Sequence, residues 1–482
     1  GINAEYGELL KMDELIQTQF LYENGIDMEI IISKPQQISQ EEKWIKDSDA
    51  SNCMMCSAKF GLKIRRHHCR QCGRVFCEDC CPDSDPRFCI LCCMNRDIDV
   101  RQQSPQLYDI TAVLHHPKFI NMQQLPDVYL KREYMRLVQN FLRNDAGRRI
   151  FMKVYTPTHI QSMLEQLNIS LKTEDPVFSI ILGTFINFTA STFPDFATYL
   201  DQNCVTDQMM TLLSQPLPLH NQILLLHCLR NLTTNQAAAK KVQKFTHFFP
   251  AVFQILQTGA VRAMEFVLAL FGNVLTWCGE LVDSVLPAQA IPGVCKDGQI
   301  VQLCKQLVSE QNLSLQINAM RMMSLIFRNS VATFEGNGDY LVQQVGLLRQ
   351  EERVQMISSY SLLQNLLQIG KLDKKHQRAC TQQLFKHEEL GQLVDCCQSD
   401  NSVVCRACAA ILHALCEINC KEFCQVVKDQ LCDVFVCCCK SLVEHEQFED
   451  VTEHVVEMMG LVATCEDGKY IRNQVGDLNG MI

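Results

Sequence analysis

The chain has 482 residues, of which 47% are apolar, enough to build a large core or several domains. Its formal net charge of −10 excludes a general polyanion binder, so any attraction to nucleic acid or acidic lipid must come from a local patch. Sparse glycine and proline, 21 and 14 residues, favour a mostly helical fold.

Residues 1–40 read as a helical segment and linker. Leu9, Met12, Ile16 and Phe20 recur at three- and four-residue steps, one helical stripe. The stripe suits a short packing helix, or the end of a coiled coil that continues upstream and would make a dimer. Gly1 rather than Met begins the chain, which leaves room for residues before it. Ser33 to Lys43, polar and containing Pro35, reads as a linker.

Residues 41–95 form a cysteine module. Four Cys-x2-Cys pairs occur: Cys53/Cys56, Cys69/Cys72, Cys77/Cys80 and Cys89/Cys92. Two intervening residues let a tight turn aim both sulfurs at one metal, and eight thiolates make two closed tetrahedral zinc sites. A module this small cannot fold on its apolar core, so two Zn2+ ions should supply much of its folding energy. Closed sites leave no position for an activated water, which argues against hydrolytic zinc. The chain has 28 cysteines, many within helix-like apolar patterns, and this suits a reducing compartment better than a disulfide framework.

A basic run, Arg65-Arg66-His67-His68-Cys69-Arg70, leads into the second pair. Together with Trp44-Ile-Lys-Asp47 and Arg87-Phe-Cys89, it resembles the three signature motifs of the FYVE zinc finger family. The resemblance implies cross-brace ligation: Cys53, Cys56, Cys77 and Cys80 on one zinc, and Cys69, Cys72, Cys89 and Cys92 on the other. It also implies phosphatidylinositol 3-phosphate as ligand. Arginine forks suit a phosphate monoester, so Arg65, Arg66, Arg70 and Arg87 are expected around the 3-phosphate. The resemblance places Asp47 and His68 on the inositol hydroxyls. The Asp47 carboxylate would repel extra phosphates at positions 4 and 5 of the ring. Leu62 and Lys63 are expected in the loop that enters the bilayer, an apolar tip beside a cation. Protonation of His67 and His68 should favour phosphate, so affinity should fall as pH rises through roughly 6 to 7. Phe88 stands where the family usually has valine. Only eight residues separate Cys80 from Cys89, and they place Asp83 and Asp85 near Arg87.

Residues 106–482 read as helical repeats. Short apolar cores recur around Asn187, Asn231, Asn273, Asn329 and Asn365, at steps of 44, 42, 56 and 36 residues. His413 and Met458 extend the series. Such a period suits stacked two- or three-helix units that bury their faces against neighbours. Phe334 to Gly338 is a loop candidate. Cys228-Leu-Arg-Asn-Leu232 resembles the third helix of an armadillo repeat, which implies a concave groove where these asparagines would grip a peptide backbone. The alternative is that they bridge helices internally. The cysteines from Cys380 to Cys465 are expected to pack as small apolar side chains. The longest apolar run, Phe266 to Cys278, is too short for the roughly 18 to 20 residues of a membrane span.

The fold expected is therefore mostly α, a two-zinc cross-brace FYVE-type module followed by an armadillo-like α-solenoid. The function expected is a cytoplasmic, non-enzymatic adaptor, peripheral on endosomal membranes that contain phosphatidylinositol 3-phosphate. Its solenoid would hold an unidentified protein partner in vesicle trafficking, with no role for nucleic acid. The alternative is a protein-interaction finger without lipid selectivity, as in a small-GTPase effector or a ubiquitin ligase.

Overall fold

The computed structural model describes residues 44–101, 125, 127–173, 176–190, 194–245, 248–256, 258–279, 299–329, 337–385, 387–397, 401–426 and 449–465. The helical stripe at Leu9 to Phe20, most of the loop at Phe334 and the cysteines at 437–439 lie outside them. The chain divides into two units, residues 1–252 and 253–482.

The first unit opens with the cysteine module, which has little regular structure. A 3-10 turn covers Asp47–Asp49, and the two-residue strands β1 (His67–His68) and β2 (Val75–Phe76) pair antiparallel, His67 opposite Phe76. Helix α1 (Ile90–Arg101) closes the module. The helices that follow are α2 (Val128–Phe141), α3 (Asp145–Val154), α4 (Pro157–Thr173), α5 (Val177–Thr189), α6 (Pro194–Gln202), α7 (Val205–Leu213), α8 (Leu219–Leu232) and α9 (Gln236–Lys244). Helix α10 (Phe248–Leu256) contains the division between the units.

Polar side chains cap the starts of α2 and α3. Asp127 caps α2 by accepting from Leu130 N–H at 2.8 Å, and Asn144 caps α3 by accepting from Gly147 N–H at 2.8 Å. Gly147 is required there, because a Cβ would stand 2.2 Å from the Phe141 carbonyl oxygen. The start of α3 can therefore fold tightly under the end of α2. Helices α2, α5 and α8 lie against one another in succession, with two further helices between each neighbouring pair. This three-helix alternation is the stacking expected of an armadillo-like solenoid. Phe151, Phe188 and Phe196 interlock between the layers, with ring centroids 4.6 and 5.2 Å apart.

The second unit continues the theme. It contains α11 (Val261–Trp277), α12 (Gln299–Val308), α13 (Leu313–Asn329), α14 (Gly338–Leu347), α15 (Glu352–Ile369), α16 (Lys374–Thr381), α17 (His387–Cys396), α18 (Ser402–Val426) and α19 (Glu449–Thr464). Helices α11, α13, α15, α18 and α19 pack in that order. Among the described residues no helix is long and apolar enough to cross a membrane.

The asparagines lie inside the helical packing of each unit, Asn187 and Asn231 in the first, Asn273 and Asn365 in the second. Asn187, Asn231, Asn273 and Asn365 are all buried. Asn187 Nδ2 donates to the Gln139 carbonyl at 2.8 Å, and Asn231 Nδ2 donates to the Ile186 carbonyl at 3.4 Å. Asn273 Oδ1 accepts from Arg321 at 3.0 Å, and Asn365 Nδ2 donates to Gln344 Oε1 at 3.0 Å. These four amides hydrogen-bond to residues of neighbouring helices, the arrangement of the internal-bridging alternative. The physical reason is register: each sits on the face of a core helix that meets another helix. The side chain of Asn329 lies outside the description. Asn140, 47 residues before Asn187 and also buried, is a further member that the sequence reading missed.

Candidate zinc and headgroup site

Each cysteine pair is a tight turn. Ser57 N–H donates to the Cys53 carbonyl at 2.9 Å, and Gly73 N–H donates to the Cys69 carbonyl at 2.8 Å. Both residues after the pair, Ser57 and Gly73, take left-handed backbone, with φ of 57° and 70°. That turn aims the two sulfurs of a pair the same way. The third pair closes with Cys81 N–H on the Cys77 carbonyl at 3.0 Å, and the fourth lies at the start of α1.

The pairs meet in alternation. Cys53, Cys56, Cys77 and Cys80 form one group, and Cys69, Cys72, Cys89 and Cys92 the other, with the sulfurs of each group all within 4.8 Å of one another. Cys56 and Cys77 Sγ are 3.6 Å apart. Thiolates around zinc at about 2.3 Å define a tetrahedron with edges of about 3.8 Å, so the donor set fits Zn2+ in both kind and spacing. The crowded sulfurs polarise one another. The Cys80 thiol holds Cys53 down at about 4, and Cys72 pulls Cys69 far below the ordinary thiol range. A divalent cation relieves the repulsion among so many sulfurs.

The zinc scaffold arranges the basic run into two clusters. In the first, His68 stacks on Trp44 with ring centroids 4.3 Å apart, and the Arg70 guanidinium lies over the Trp44 ring, 5.4 Å from its centroid. His68 Nε2 lies 2.8 Å from the Ile45 carbonyl oxygen and 3.6 Å from Asp47 Oδ1. Asp47, Arg65, Arg66 and Arg70 are exposed. Arg66 is braced from behind: its Nε donates to the Ala50 carbonyl at 3.0 Å, and its guanidinium lies 5.0 Å from the Phe60 ring centroid.

The second cluster centres on Arg87. Arg70 N–H donates to the Arg87 carbonyl at 2.9 Å, so the second zinc group brings the Arg87 segment beside the basic run. The Arg87 guanidinium contacts both His67 Nδ1 and the Asp83 carboxylate. Arginine only donates, so His67 Nδ1 accepts and the ring is neutral with its proton on Nε2. Burial, then the adjacent Arg87 charge, lowers the His67 pKa below 6.5. The pH response expected of His67 therefore moves to the acid side of that value. The hydrogen bond and charge of Arg87 hold the Asp83 carboxyl below the usual carboxylate range.

Leu62 is 102% exposed at the tip of a turn closed by Gly61 N–H on the Ile64 carbonyl at 3.0 Å. Lys63 and Lys59 are exposed beside it, and Ile64 is partly exposed.

The module is also joined to the helices behind it. Arg74 lies 4.3 Å from the Tyr129 ring centroid, and its Nε is 3.5 Å from Asp127 Oδ1. Asn95 Nδ2, fully buried, donates to both the carbonyl and the carboxylate of Glu133 at 2.9 Å. Glu133 is in turn paired with the buried Arg136 at 3.1 Å. Sequence reasoning missed this joint, because its residues come from segments more than thirty positions apart. It also gave His67 no role at Arg87, although the alternation of a two-residue strand sends His67 and His68 to opposite faces.

The FYVE zinc finger family pattern matches residues 43–107. Over 46 residues the chain is 50% identical to the human FYVE and coiled-coil domain-containing protein 1, which covers 10% of this chain and 3% of that protein. Over 38 residues it is 53% identical to human early endosome antigen 1, which covers 8% of this chain and 3% of that one. The chain thus spans a small part of the length of these relatives. An engineered protein of known crystal structure covers 77% of the chain with a TM-score of 0.54 and 13% identity, a likeness of fold. Residues 43–107 are a FYVE zinc finger that binds two zinc ions in interleaved four-cysteine sites, and stacked helices follow it.

Proposed function

We propose that the chain is a non-enzymatic membrane adaptor, with residues 41–95 reading phosphatidylinositol 3-phosphate and residues 106–482 holding a protein partner. The observation that carries this reading is the grouping of Asp47, His68, Trp44 and Arg70 with the braced Arg66, beside a fully exposed Leu62. Charge-assisted donors from Arg65, Arg66, Arg70 and Arg87 hold the 3-phosphate, while Asp47 and His68 take the ring hydroxyls. Leu62 enters the bilayer, and Lys63 meets anionic headgroups. The names of the relatives, early endosome antigen 1 among them, support a peripheral position on endosomal membranes and a role in vesicle trafficking.

The test is co-sedimentation with liposomes that differ only in phosphoinositide isomer. The chain should prefer the 3-phosphate lipid, and Arg66→Ala should remove most of that preference. Equal binding to every isomer overturns the reading. One observation favours a protein-binding finger instead: Arg87 already has a carboxylate partner in Asp83. On that reading Arg66→Ala leaves membrane recruitment intact.

A further inference from the structure

The seam between α18 and α19 carries a second group of sulfurs, far in sequence from the finger. Cys420, Cys424 and Cys465 have Sγ atoms all within 4.8 Å of one another. Cys420 and Cys424 Sγ are 3.8 Å apart, and Cys416 Sγ is also 3.8 Å from Cys420. These spacings equal the edge of about 3.8 Å that a tetrahedral zinc thiolate requires.

Apolar packing does not account for the group. Cys228, Cys304 and Cys408 are fully buried, as cysteines used as small hydrophobes are. Cys420 and Cys465 instead remain partly exposed, with the buried Cys424 beside them. An ion can therefore reach the three sulfurs from solvent. The backbone is shaped for the group as well. Helix α18 is interrupted at Asn419, with φ of −152° and ψ of 75°. Asn419 Oδ1 lies 3.5 Å from Glu422 N, and its Nδ2 donates to Glu422 Oε2 at 2.6 Å. This cap fixes the turn that carries Cys420 and Cys424, and Cys465 meets them from the end of α19. Cys420 Sγ also approaches the Leu461 carbonyl oxygen at 3.6 Å, which ties the two helices at this level.

The geometry points to a third metal centre, in which Cys420, Cys424 and Cys465 bind one thiophilic d10 ion, Zn2+ or Cu+. Cys416 stands within reach as a fourth sulfur. Soft thiolates select such ions over magnesium or calcium. Each thiol loses its proton on binding, so up to three protons leave for each ion bound.

The test counts metal on the full chain, purified with reductant. After equilibration with Zn2+ and removal of loosely held metal, emission spectrometry should give three equivalents, two of them from the finger. A parallel titration with Cu+ should bind one equivalent without releasing the finger zinc if copper is the occupant. Cys420→Ala with Cys465→Ala should remove only the third ion, with helical circular dichroism unchanged. His413→Ala serves as a control on the same seam, where His413, His454 and Glu457 also converge. It should leave the count at three. Two zinc equivalents and no bound Cu+ in the unaltered chain overturn the inference, however the variants fold. Survival of the third ion in the double variant overturns it too.

Discussion

In the finger, charged side chains face outward and sulfur occupies the inside. In the helical repeats, several amides and hydroxyls are buried between helices, along with a few charged groups such as the Glu133–Arg136 pair. Arg65, Arg66 and Arg70 are exposed, whereas Asn187, Asn231, Gln344 and Ser361 are buried. Size explains the difference. About fifty residues cannot bury enough apolar surface to fold, so metal supplies the cohesion and the side chains are free for a ligand. The repeats have apolar surface in excess, and their polar groups fix the register of one helix against the next.

Four measurements would break or sharpen this comparison. Chelation of zinc should have the largest effect. Structural zinc contributes about 10 to 16 kcal/mol per ion in small fingers, so its removal should unfold residues 44–93 and abolish lipid binding. Helical circular dichroism should persist, because the repeats fold on apolar contacts. Collapse of both signals together would mean that the joint at Asn95 and Glu133 makes one cooperative unit.

Leu62→Ala comes next. Burial of a leucine contributes about 1.5 to 3 kcal/mol, so vesicle affinity should fall by roughly tenfold or more. Binding of soluble inositol 1,3-bisphosphate and the thermal midpoint should not move, because Leu62 makes no packing contribution when fully exposed. Asn187→Ala should do the reverse. Loss of a buried interhelical hydrogen bond should lower stability by about 1 to 3 kcal/mol in urea unfolding, with vesicle binding intact. An unchanged urea midpoint would return the asparagine to a binding role. The smallest effect is expected from Asp83→Asn, which frees the Arg87 guanidinium for phosphate. Affinity for 3-phosphate vesicles should rise a few-fold by surface plasmon resonance, and a fall would show that Asp83 positions Arg87 usefully.

The sequence was most legible where chemistry is local. Pairs with two residues between them must be close in space, so all eight zinc ligands could be named from spacing alone, and the basic run lay between them. Helical content and the repeat period were legible because burial imposes periodicity. The direction of the asparagines was not, since a register change of one residue turns the same side chain from groove to core. Cys465 was equally hidden: it lies 41 positions after Cys424, and only the pairing of α18 with α19 brings them together. Asp83 was read as negative charge near Arg87, and it is in direct contact.

The joint behind the finger bears on how a bound membrane would be presented to a partner. A finger on a loose tether raises local concentration and leaves orientation free. Here Arg74 is stacked on Tyr129, and Asn95 is bonded to the buried Glu133 on the first long helix. On the proposed function, anchoring at Leu62 would then fix the tilt and height of α2 above the bilayer plane. A partner bound to the first repeats would be held at a set distance and angle from the lipid surface, so a chain acting as the proposed adaptor would select among partners by geometry as well as by contact.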